Sequence, residues 1–409
     1  MPDPQTFVVV GAGHAGGRAV EAFRMAGFEG RIVLIGDEPH LPYERPPLSK
    51  ELLQGKPDAH TPVRDRAFYD ESEIECRLGR RAIAIRPDDK TVELDHGEIV
   101  AYDKLLLTTG GRVRRIDAPG ADLADVYYLR TLDDSQAIDK RLQDGAHVVV
   151  IGGGFIGLEV AASARSRGCT VTVLEIADRL LGRAVLPEIS DAFLTLHREN
   201  GVDVRLGVGI SRFKGDGKIA RAVTTDGDDL PADLAVIGVG ILPETDLAEK
   251  AGIACDNGIV VDPYCRTSVA DIFAAGDATN HFNPIHHRQI RQEAWQNAQN
   301  QAIAAARIMC GDETPYSEVP WMWSDQFDAN LQVAGMPESW DAVIWRGDPA
   351  ARDAIAFLIA EGALVGAMSL NRPRDMRMAR RLIDPAQRAD ITALGDDSVS
   401  LRDLVRAKS

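Results

Sequence analysis

The sequence predicts an α/β protein: two similar βαβ halves, then a smaller α+β domain. Three observations carry this reading. Gly11-Ala12-Gly13-His14-Ala15-Gly16 follows the apolar run Phe7-Val8-Val9-Val10, and Gly152-Gly153-Gly154-Phe155-Ile156-Gly157 follows Val148-Val149-Val150-Ile151. Each half closes on an apolar strand ending in glycines, Leu105-Leu106-Leu107-Thr108-Thr109-Gly110-Gly111 and Leu234-Ala235-Val236-Ile237-Gly238-Val239-Gly240. Beyond Gly311-Asp312-Glu313-Thr314-Pro315 the composition shifts, with Trp321, Trp323, Trp340 and Trp345 in one short region.

Each glycine signature fits strand, tight turn, helix, the opening of a Rossmann-like unit. The first glycine makes the turn, the second lets backbone approach a pyrophosphate, and the third lets helix and strand pack closely. The phosphate then rests on unpaired N–H groups at the helix N-terminus. After the first signature a helix over 18–26 ends at Gly27, and a strand over 31–35 runs into Gly36-Asp37. After the second, a helix over 158–167 ends at Gly168, and a strand over 170–174 ends at Glu175. Asp37 and Glu175 stand where an acid binds a ribose 2′-hydroxyl. Two complete units predict two dinucleotide sites.

Further along, Asp271-Ile272-Phe273-Ala274-Ala275-Gly276-Asp277 is another strand ending in Gly-Asp, with a helix over 292–310 behind it. In the last part, segments such as Ala354-Ile355-Ala356-Phe357-Leu358-Ile359 alternate with Gly/Asp turns, as strands do. An arginine-rich helical segment follows. The expected domains are 1–112 and 240–320 as two parts of one nucleotide-binding domain, 113–239 as a second, and 321–409 as the C-terminal α+β domain.

Of the 409 residues 45% are hydrophobic, enough for large cores, and the formal net charge is -16. That charge opposes a nucleic-acid function. The best membrane candidate, 148–162, is broken by glycines and Glu159. The start of the chain lacks the basic and apolar regions of a secretory signal. The five cysteines, Cys76, Cys169, Cys255, Cys265 and Cys310, form no CxxC or CxxxxC pair. This fits small buried side chains in a reducing cytoplasm. His281, His286 and His287 share a loop with Asn283-Pro284 but match no ligand spacing, so no metal is expected.

Pro42-Tyr43-Glu44-Arg45-Pro46-Pro47-Leu48-Ser49-Lys50, Gly152 to Glu159, Ala275-Gly276-Asp277 and Trp321-Met322-Trp323-Ser324-Asp325-Gln326 together carry a resemblance. The chain resembles the FAD-dependent NADH:ferredoxin reductases of bacterial oxygenase systems, which have the glutathione-reductase-like fold. The resemblance implies FAD at the first glycine site and NADH at the second. It places Gly11, Ala12, Gly13, Ala15 and Gly16 on the FAD pyrophosphate, Asp37 on its adenosine ribose, and Arg45, Lys50, Ala82, Thr109, Gly110 and Arg130 at further FAD positions. Gly276 and Asp277 match the ribityl side, and Trp295 a position beside the isoalloxazine. Gly152, Gly154, Ile156, Gly157, Glu175, Arg183, Gly238 and Gly240 match the NADH side. Lys50 and Glu159 match an ion pair beside flavin N5, where a cation stabilises negative charge on the reduced ring.

A carboxylate at Glu175 also favours NADH over NADPH on physical grounds, since it repels a 2′-phosphate; Arg179 and Arg183 are near enough in sequence to soften this. Plainer readings stand beside these: Lys50 as an exposed lysine, Glu159 as a first-turn glutamate, Trp295 as core. Arg372, Arg374, Arg377, Arg380 and Arg381 cluster, and Arg374, Arg377 and Arg381 share one helical face. That face either docks an acidic [2Fe–2S] ferredoxin feeding a cytochrome P450 or Rieske-type oxygenase, or is solvated and paired with acids such as Asp375 and Asp384. Trp321 is a weaker candidate for the flavin-side face. An NADH peroxidase or oxidase would need a cysteine where Pro42-Tyr43-Glu44-Arg45 stands, and none precedes Cys76. Rubredoxin reductase and an apoptosis-inducing-factor-like NADH-binding flavoprotein are the alternatives.

Overall fold

The structure, a computed structural model, describes residues 5–59, 61–383 and 391–406. In chain order the principal elements are β1 (Thr6–Val10), α1 (His14–Met25), β2 (Arg31–Gly36), β3 (Ile74–Leu78), β4 (Lys104–Leu107), β5 (Val126–Tyr128), α2 (Leu132–Asp139), β6 (His147–Ile151), α3 (Phe155–Ser166), β7 (Thr170–Glu175), α4 (Pro187–Glu199), β8 (Asp203–Leu206), β9 (Leu234–Ile237), β10 (Ile272–Ala274) and α5 (Trp295–Met309). The last part holds β11 (Trp321–Gln326), β12 (Ala329–Ala334), β13 (Ala342–Asp348), β14 (Asp353–Ala360), β15 (Ala363–Leu370) and α6 (Pro373–Ile383). Two compact units emerge. One comprises Met1–Arg45, His60–Arg112 and Leu242–Pro320, the other Pro46–Ala59, Val113–Ile241 and Trp321–Ser409.

The first unit carries a five-stranded parallel sheet in the order β10-β4-β1-β2-β3. Strand order reverses at β1, so the loop leaving its C-terminal end lies at a topological switch point, the usual ligand crevice of such sheets. An uninterrupted apolar run suits a parallel strand because both faces are covered. Alternation then divides the run between two cores. Phe7 and Val9 pack with Val20 and Phe23 of α1 and Ala302 and Ala305 of α5, whereas Val8 and Val10 pack with Val33, Leu105 and Ile272.

The second unit repeats the plan, with the parallel order β8-β7-β6-β9-β5 and the reversal at β6. Val148 and Val150 face one core and Val149 and Ile151 the other. The first of these cores also takes in Leu53, Ala329, Leu331, Leu358 and Leu370, so the C-terminal antiparallel sheet (β11-β12-β15-β14-β13) and the segment Pro46–Ala59 share a continuous interior with the α3 side of the nucleotide fold. This is why Pro46–Ala59, which by sequence order falls in the 1–112 part, groups with the second unit. Helix α6 starts on Pro373, whose fixed φ suits a first helical position, and buries Met376, Ala379, Leu382 and Ile383.

Some local expectations shift. Both glycine-loop helices begin on the residue after the second glycine, at His14 and Phe155, because Gly13 and Gly154 are themselves the N-caps. The histidine loop is largely a hairpin, Thr279–Asn283 paired antiparallel with Arg288–Ile290, and His281 is buried in it. The helix expected over 292–310 starts at Trp295.

Burial gives the fold a built-in acid sensitivity. Desolvation lowers His197 and His281 to about 4, whereas in the unfolded chain a histidine titrates near 6.5. Between those values the unfolded chain binds more protons, so this stability is complete above about pH 6.5 and is lost as pH falls toward about 4. Melting temperature should therefore fall over that window. His281 has no hydrogen-bond partner on either ring nitrogen among the described residues. His281→Phe should flatten the slope by close to one proton, about 1.4 kcal/mol per pH unit, measured by calorimetry between pH 4 and 7.

Candidate functional site

The two glycine turns are alike position by position. Gly11 has φ +117°, and a Cβ there would lie 2.2 Å from the Thr108 carbonyl oxygen; Gly152 has φ +107°, and its Cβ would lie 2.5 Å from the Gly238 carbonyl oxygen. A Cβ at Gly16 or Gly157 would strike the carbonyl oxygen of Gly11 or Gly152, at 1.9 and 2.1 Å. The chain's own backbone requires these four glycines. The middle pair differs. A Cβ at Gly13 would meet only the Arg45 guanidinium at 3.7 Å, and at Gly154 nothing within 4 Å. Both have ordinary backbone angles, so neither internal packing nor conformation demands glycine there. A ligand that must touch backbone does. Neither helix has a side-chain cap or an acid in its first turn, leaving the N-terminal N–H groups for an anion. Both turns fit a pyrophosphate by this test.

Around the first turn, Asp37 directly follows β2 and is exposed. The neighbouring Glu38 is committed: it accepts from the Tyr43 hydroxyl at 2.5 Å and from Arg45 at 2.8 Å. Glu44, between them in sequence, takes the Trp295 indole N–H at 2.5 Å and Arg18 at 3.1 Å. Trp295 opens α5 and lies against His14 of the glycine turn, ring centroids 5.2 Å apart and nearly parallel. Burial lowers His14 to about 3, so it is neutral at pH 7. Gly276 (φ +84°) donates its N–H to Gln301, and a Cβ on it would press on Ala15 at 3.3 Å. Asp277 is half-buried and acts electrostatically on Arg45. Ala12 lies against Gly36. The Thr109 hydroxyl and Gly110 carbonyl tie the end of the β4 loop to Glu244, and Ala82 begins a separate short strand.

Around the second turn, Glu175 ends β7 and its oxygens accept the backbone N–H groups of Gly153 (2.6 Å) and Ala177 (2.8 Å). This pins the carboxylate at the mouth of the turn while each oxygen keeps lone-pair capacity. Ile156 in the first turn of α3 and Ile176 next to Glu175 in sequence are exposed to 45% and 78%, and such apolar side chains suit a ring laid over them. Arg179 is spent on the carbonyls of Gly182 and Val185, whereas Arg183 is exposed. Gly238 and Gly240 line the closing turn after β9, and Arg130 leads into the capping box of α2.

In the second unit Lys50 and Glu159 meet, Nζ 3.0 Å from the carboxylate, both buried. Lys50 is thus not an exposed loop lysine. Glu159 lies beyond the first turn of α3, so the helix terminus is not what holds it. Two hydroxyls missed at the sequence level complete its shell: Ser49 at 2.5 Å and Ser324 of β11 at 2.6 Å.

On α6, Arg374, Arg377 and Arg381 are exposed with no carboxylate of a described residue within 4.0 Å. Arg372 is instead bound to Asp353, Asp375 and Asp397, and Arg380 lies over the half-buried Trp321 ring at 4.8 Å. Asp375 therefore serves Arg372, and Asp384 lies outside the described residues. All five thiols are free, and burial pushes each of them up, Cys255 to about 11, which disfavours thiolate chemistry. Among the described residues no cluster of metal ligands occurs, and no helix is long and apolar enough to cross a membrane.

The glycine analysis is testable. Gly154→Ala should fold with stability within about 1 kcal/mol of the parent, yet bind NADH about tenfold more weakly or worse. Gly11→Ala should lose more than about 2 kcal/mol through strain and overlap. Thermal melts beside NADH titrations separate the two classes.

The family described as pyridine nucleotide-disulphide oxidoreductase matches residues 5–302, and the family described as reductase C-terminal matches residues 321–405. The anthranilate 1,2-dioxygenase system ferredoxin–NAD(+) reductase component of Burkholderia cepacia is 45% identical, covering 97% of this chain and 98% of that protein. Putidaredoxin reductase of Pseudomonas putida is 36% identical, covering 98% and 96%. The crystal structure of the covalent putidaredoxin reductase–putidaredoxin complex superposes with a TM-score of 0.96, at 36% identity and 99% coverage of each chain. The ferredoxin reductase structure from Rhodopseudomonas palustris gives 0.93, at 39% identity, covering 99% of this chain and 100% of that one. The chain belongs to the pyridine nucleotide-disulphide oxidoreductase family and carries the reductase C-terminal domain.

Proposed function

We propose that the protein is an NADH-dependent ferredoxin reductase that carries FAD and supplies a cytochrome P450 or Rieske-type oxygenase. The observation that carries this is the duplicated turn, with Gly13 and Gly154 free of any internal packing demand on one chain. Whole-length relatives named as ferredoxin–NAD(+) reductase components support it. FAD held at the first glycine turn would supply the chemistry that links a two-electron hydride donor, NADH, to a one-electron [2Fe–2S] carrier.

In this reading the residues divide the work. Gly11, Ala12, Gly13, Ala15 and Gly16 seat the FAD pyrophosphate on α1, with Asp37 on the ribose and Arg45, Ala82, Thr109, Gly110, Arg130, Gly276 and Asp277 along the cofactor. Glu44 and His14 hold Trp295 in a fixed plane, which suits a wall against an aromatic ring. Gly152, Gly154, Ile156, Gly157, Gly238 and Gly240 seat NADH, with Arg183 at its edge. Glu175, already oriented by two N–H groups, accepts from a free 2′-hydroxyl and repels a 2′-phosphate. Lys50, held by Glu159 at 3.0 Å, would place its ammonium to stabilise negative charge on a reduced flavin ring. The exposed face of Arg374, Arg377 and Arg381, adjoined by Arg372, docks the acidic ferredoxin. A cytoplasmic location is supported by five unpaired thiols.

The purified protein should be yellow, be bleached faster by NADH than by NADPH, and reduce cytochrome c only when ferredoxin is added. A colourless protein that no flavin reconstitutes defeats the reading. Glu175→Gln should cut the NADH preference about tenfold, read as the ratio of kcat/KM for the two nucleotides. Reversing charge at Arg374 and Arg377 together should raise the ferredoxin KM severalfold at low salt and leave flavin reduction untouched. An unchanged KM removes the docking face.

A further inference from the structure

The hydrogen bonds behind Glu159 form a chain with one direction. Glu159, 3% exposed, accepts from Ser324 Oγ on Oε1 at 2.6 Å, and on Oε2 from Ser49 Oγ at 2.5 Å and Lys50 Nζ at 3.0 Å. The Ser324 oxygen in turn accepts from Gln326 Nε2 at 3.0 Å. The Gln326 carbonyl oxygen faces His197 Nε2 at 2.8 Å. All five partners of this network other than Lys50 are fully buried, and Lys50 is 9% exposed.

Each link fixes the next. Burial keeps His197 neutral at pH 7, so it has a single N–H. An amide oxygen opposite Nε2 requires that proton on Nε2. The direction is fixed from the other end: with the Ser324 hydroxyl donating to Glu159, the Ser324 oxygen is left to take the Gln326 NH₂, and the Gln326 oxygen to take the His197 N–H. A serine hydroxyl has one proton, and since a carboxylate only accepts, that proton goes to Glu159. No freedom remains in the sequence His197, Gln326, Ser324, Glu159, Lys50.

We propose that Ser324 is a positioning residue: held by Gln326 and His197, its hydroxyl fixes the rotation of the Glu159 carboxylate and so the place of the Lys50 ammonium. The inference rests on the reading above that this ion pair acts on the reduced flavin. The carboxylate would otherwise turn about its last bond, since its remaining partners, Ser49 and Lys50, both bind one oxygen. Among the described residues the Lys50 ammonium has one further acceptor, the Pro46 carbonyl at 3.4 Å, and drifts toward it when Glu159 loosens. The C-terminal sheet, through β11, thus contributes to the reaction without touching a substrate. Hydrogen bonds to charged groups are the stronger kind, and the loss of one reaches tenfold or more in an equilibrium or rate.

The test uses the FAD-loaded enzyme and two measurements: stopped-flow flavin reduction by NADH, and the flavin midpoint potential against pH by dye equilibration, which needs no turnover. Ser324→Ala should slow reduction about tenfold with the NADH Kd unchanged, and shift the pH profile of the potential in the direction given by Glu159→Gln. Ser324→Thr, which keeps the hydroxyl, should restore both. Should Ser324→Ala fail to fold, Gln326→Leu releases the same hydroxyl and should show the same two changes, smaller. Parental rates and profiles in Ser324→Ala, or in Gln326→Leu, with Glu159→Gln impaired, overturn the inference alone. Parental behaviour in Glu159→Gln and Lys50→Met as well overturns the ion-pair reading beneath it.

Discussion

A carboxylate removed from water must be met by donors on every side or it will not stay charged. That constraint organises the second unit around Glu159. Glu159 stands on α3, and its donors come from two distant places in the chain: Ser49 and Lys50 from Pro46–Ala59, and Ser324 from β11. Secondary contacts follow the same seam. Ser163, one turn further along α3, donates to the Ser49 carbonyl, and Ser135 of α2 donates to the Leu48 carbonyl. The short segment of residues 46–59 therefore belongs with the second nucleotide fold by polar as well as apolar contacts, with Leu53 at the apolar end. Removing a single donor leaves a buried charge short of a partner, which is why one hydroxyl can matter.

The glycine turns show a different economy, in which the protein's needs and a ligand's needs can be told apart. Gly11, Gly16, Gly152 and Gly157 are dictated by backbone oxygens 1.9–2.5 Å from where a Cβ would stand. Gly13 and Gly154 are dictated by nothing in the chain. The same division in two halves with different sequences between the glycines makes it a property of the geometry. The acids beyond them are not equivalent, however. Glu175 is pinned by two N–H groups, whereas Asp37 is exposed and its neighbour Glu38 is consumed by Tyr43 and Arg45. A pinned acid discriminates by geometry, and a free one adapts to what it meets.

What could be read in the sequence was local. Apolar runs, glycine spacing and strand-terminal acids gave both nucleotide halves within a few residues, because sheet, turn and helix start all lie in one short stretch. Helix starts were placed late since Gly13 and Gly154 cap without a side chain, leaving no Ser, Thr, Asp or Asn signal. The relay behind Glu159 was invisible: Ser324 lies 165 residues away in sequence and Gln326 lies 129 from His197, and no periodicity links them. The histidine segment misled through its polarity and its Asn-Pro pair, yet tertiary packing buries His281 against Tyr316. The arginine cluster was readable as composition, but its division into three exposed and two committed side chains needed the positions of Asp353, Asp397 and Trp321.

The charge of the chain then resolves into two length scales. A net charge of -16 repels an acidic partner at a distance, but screening at physiological salt confines that repulsion to within about 8 Å of the surface. Inside that range individual groups decide. Several cations are already neutralised: Arg372 by three aspartates, Arg18 by Glu21 and Glu44, Arg45 by Glu38. A paired guanidinium gives a partner little, because its donors are engaged and its field is largely cancelled. Arg374, Arg377 and Arg381 keep both donors and field because α6 turns its apolar side inward, burying Met376, Ala379, Leu382 and Ile383. The amphipathic pattern that anchors the helix is thus the same pattern that leaves its cationic side exposed, so the proposed docking face needs no packing beyond that of the core.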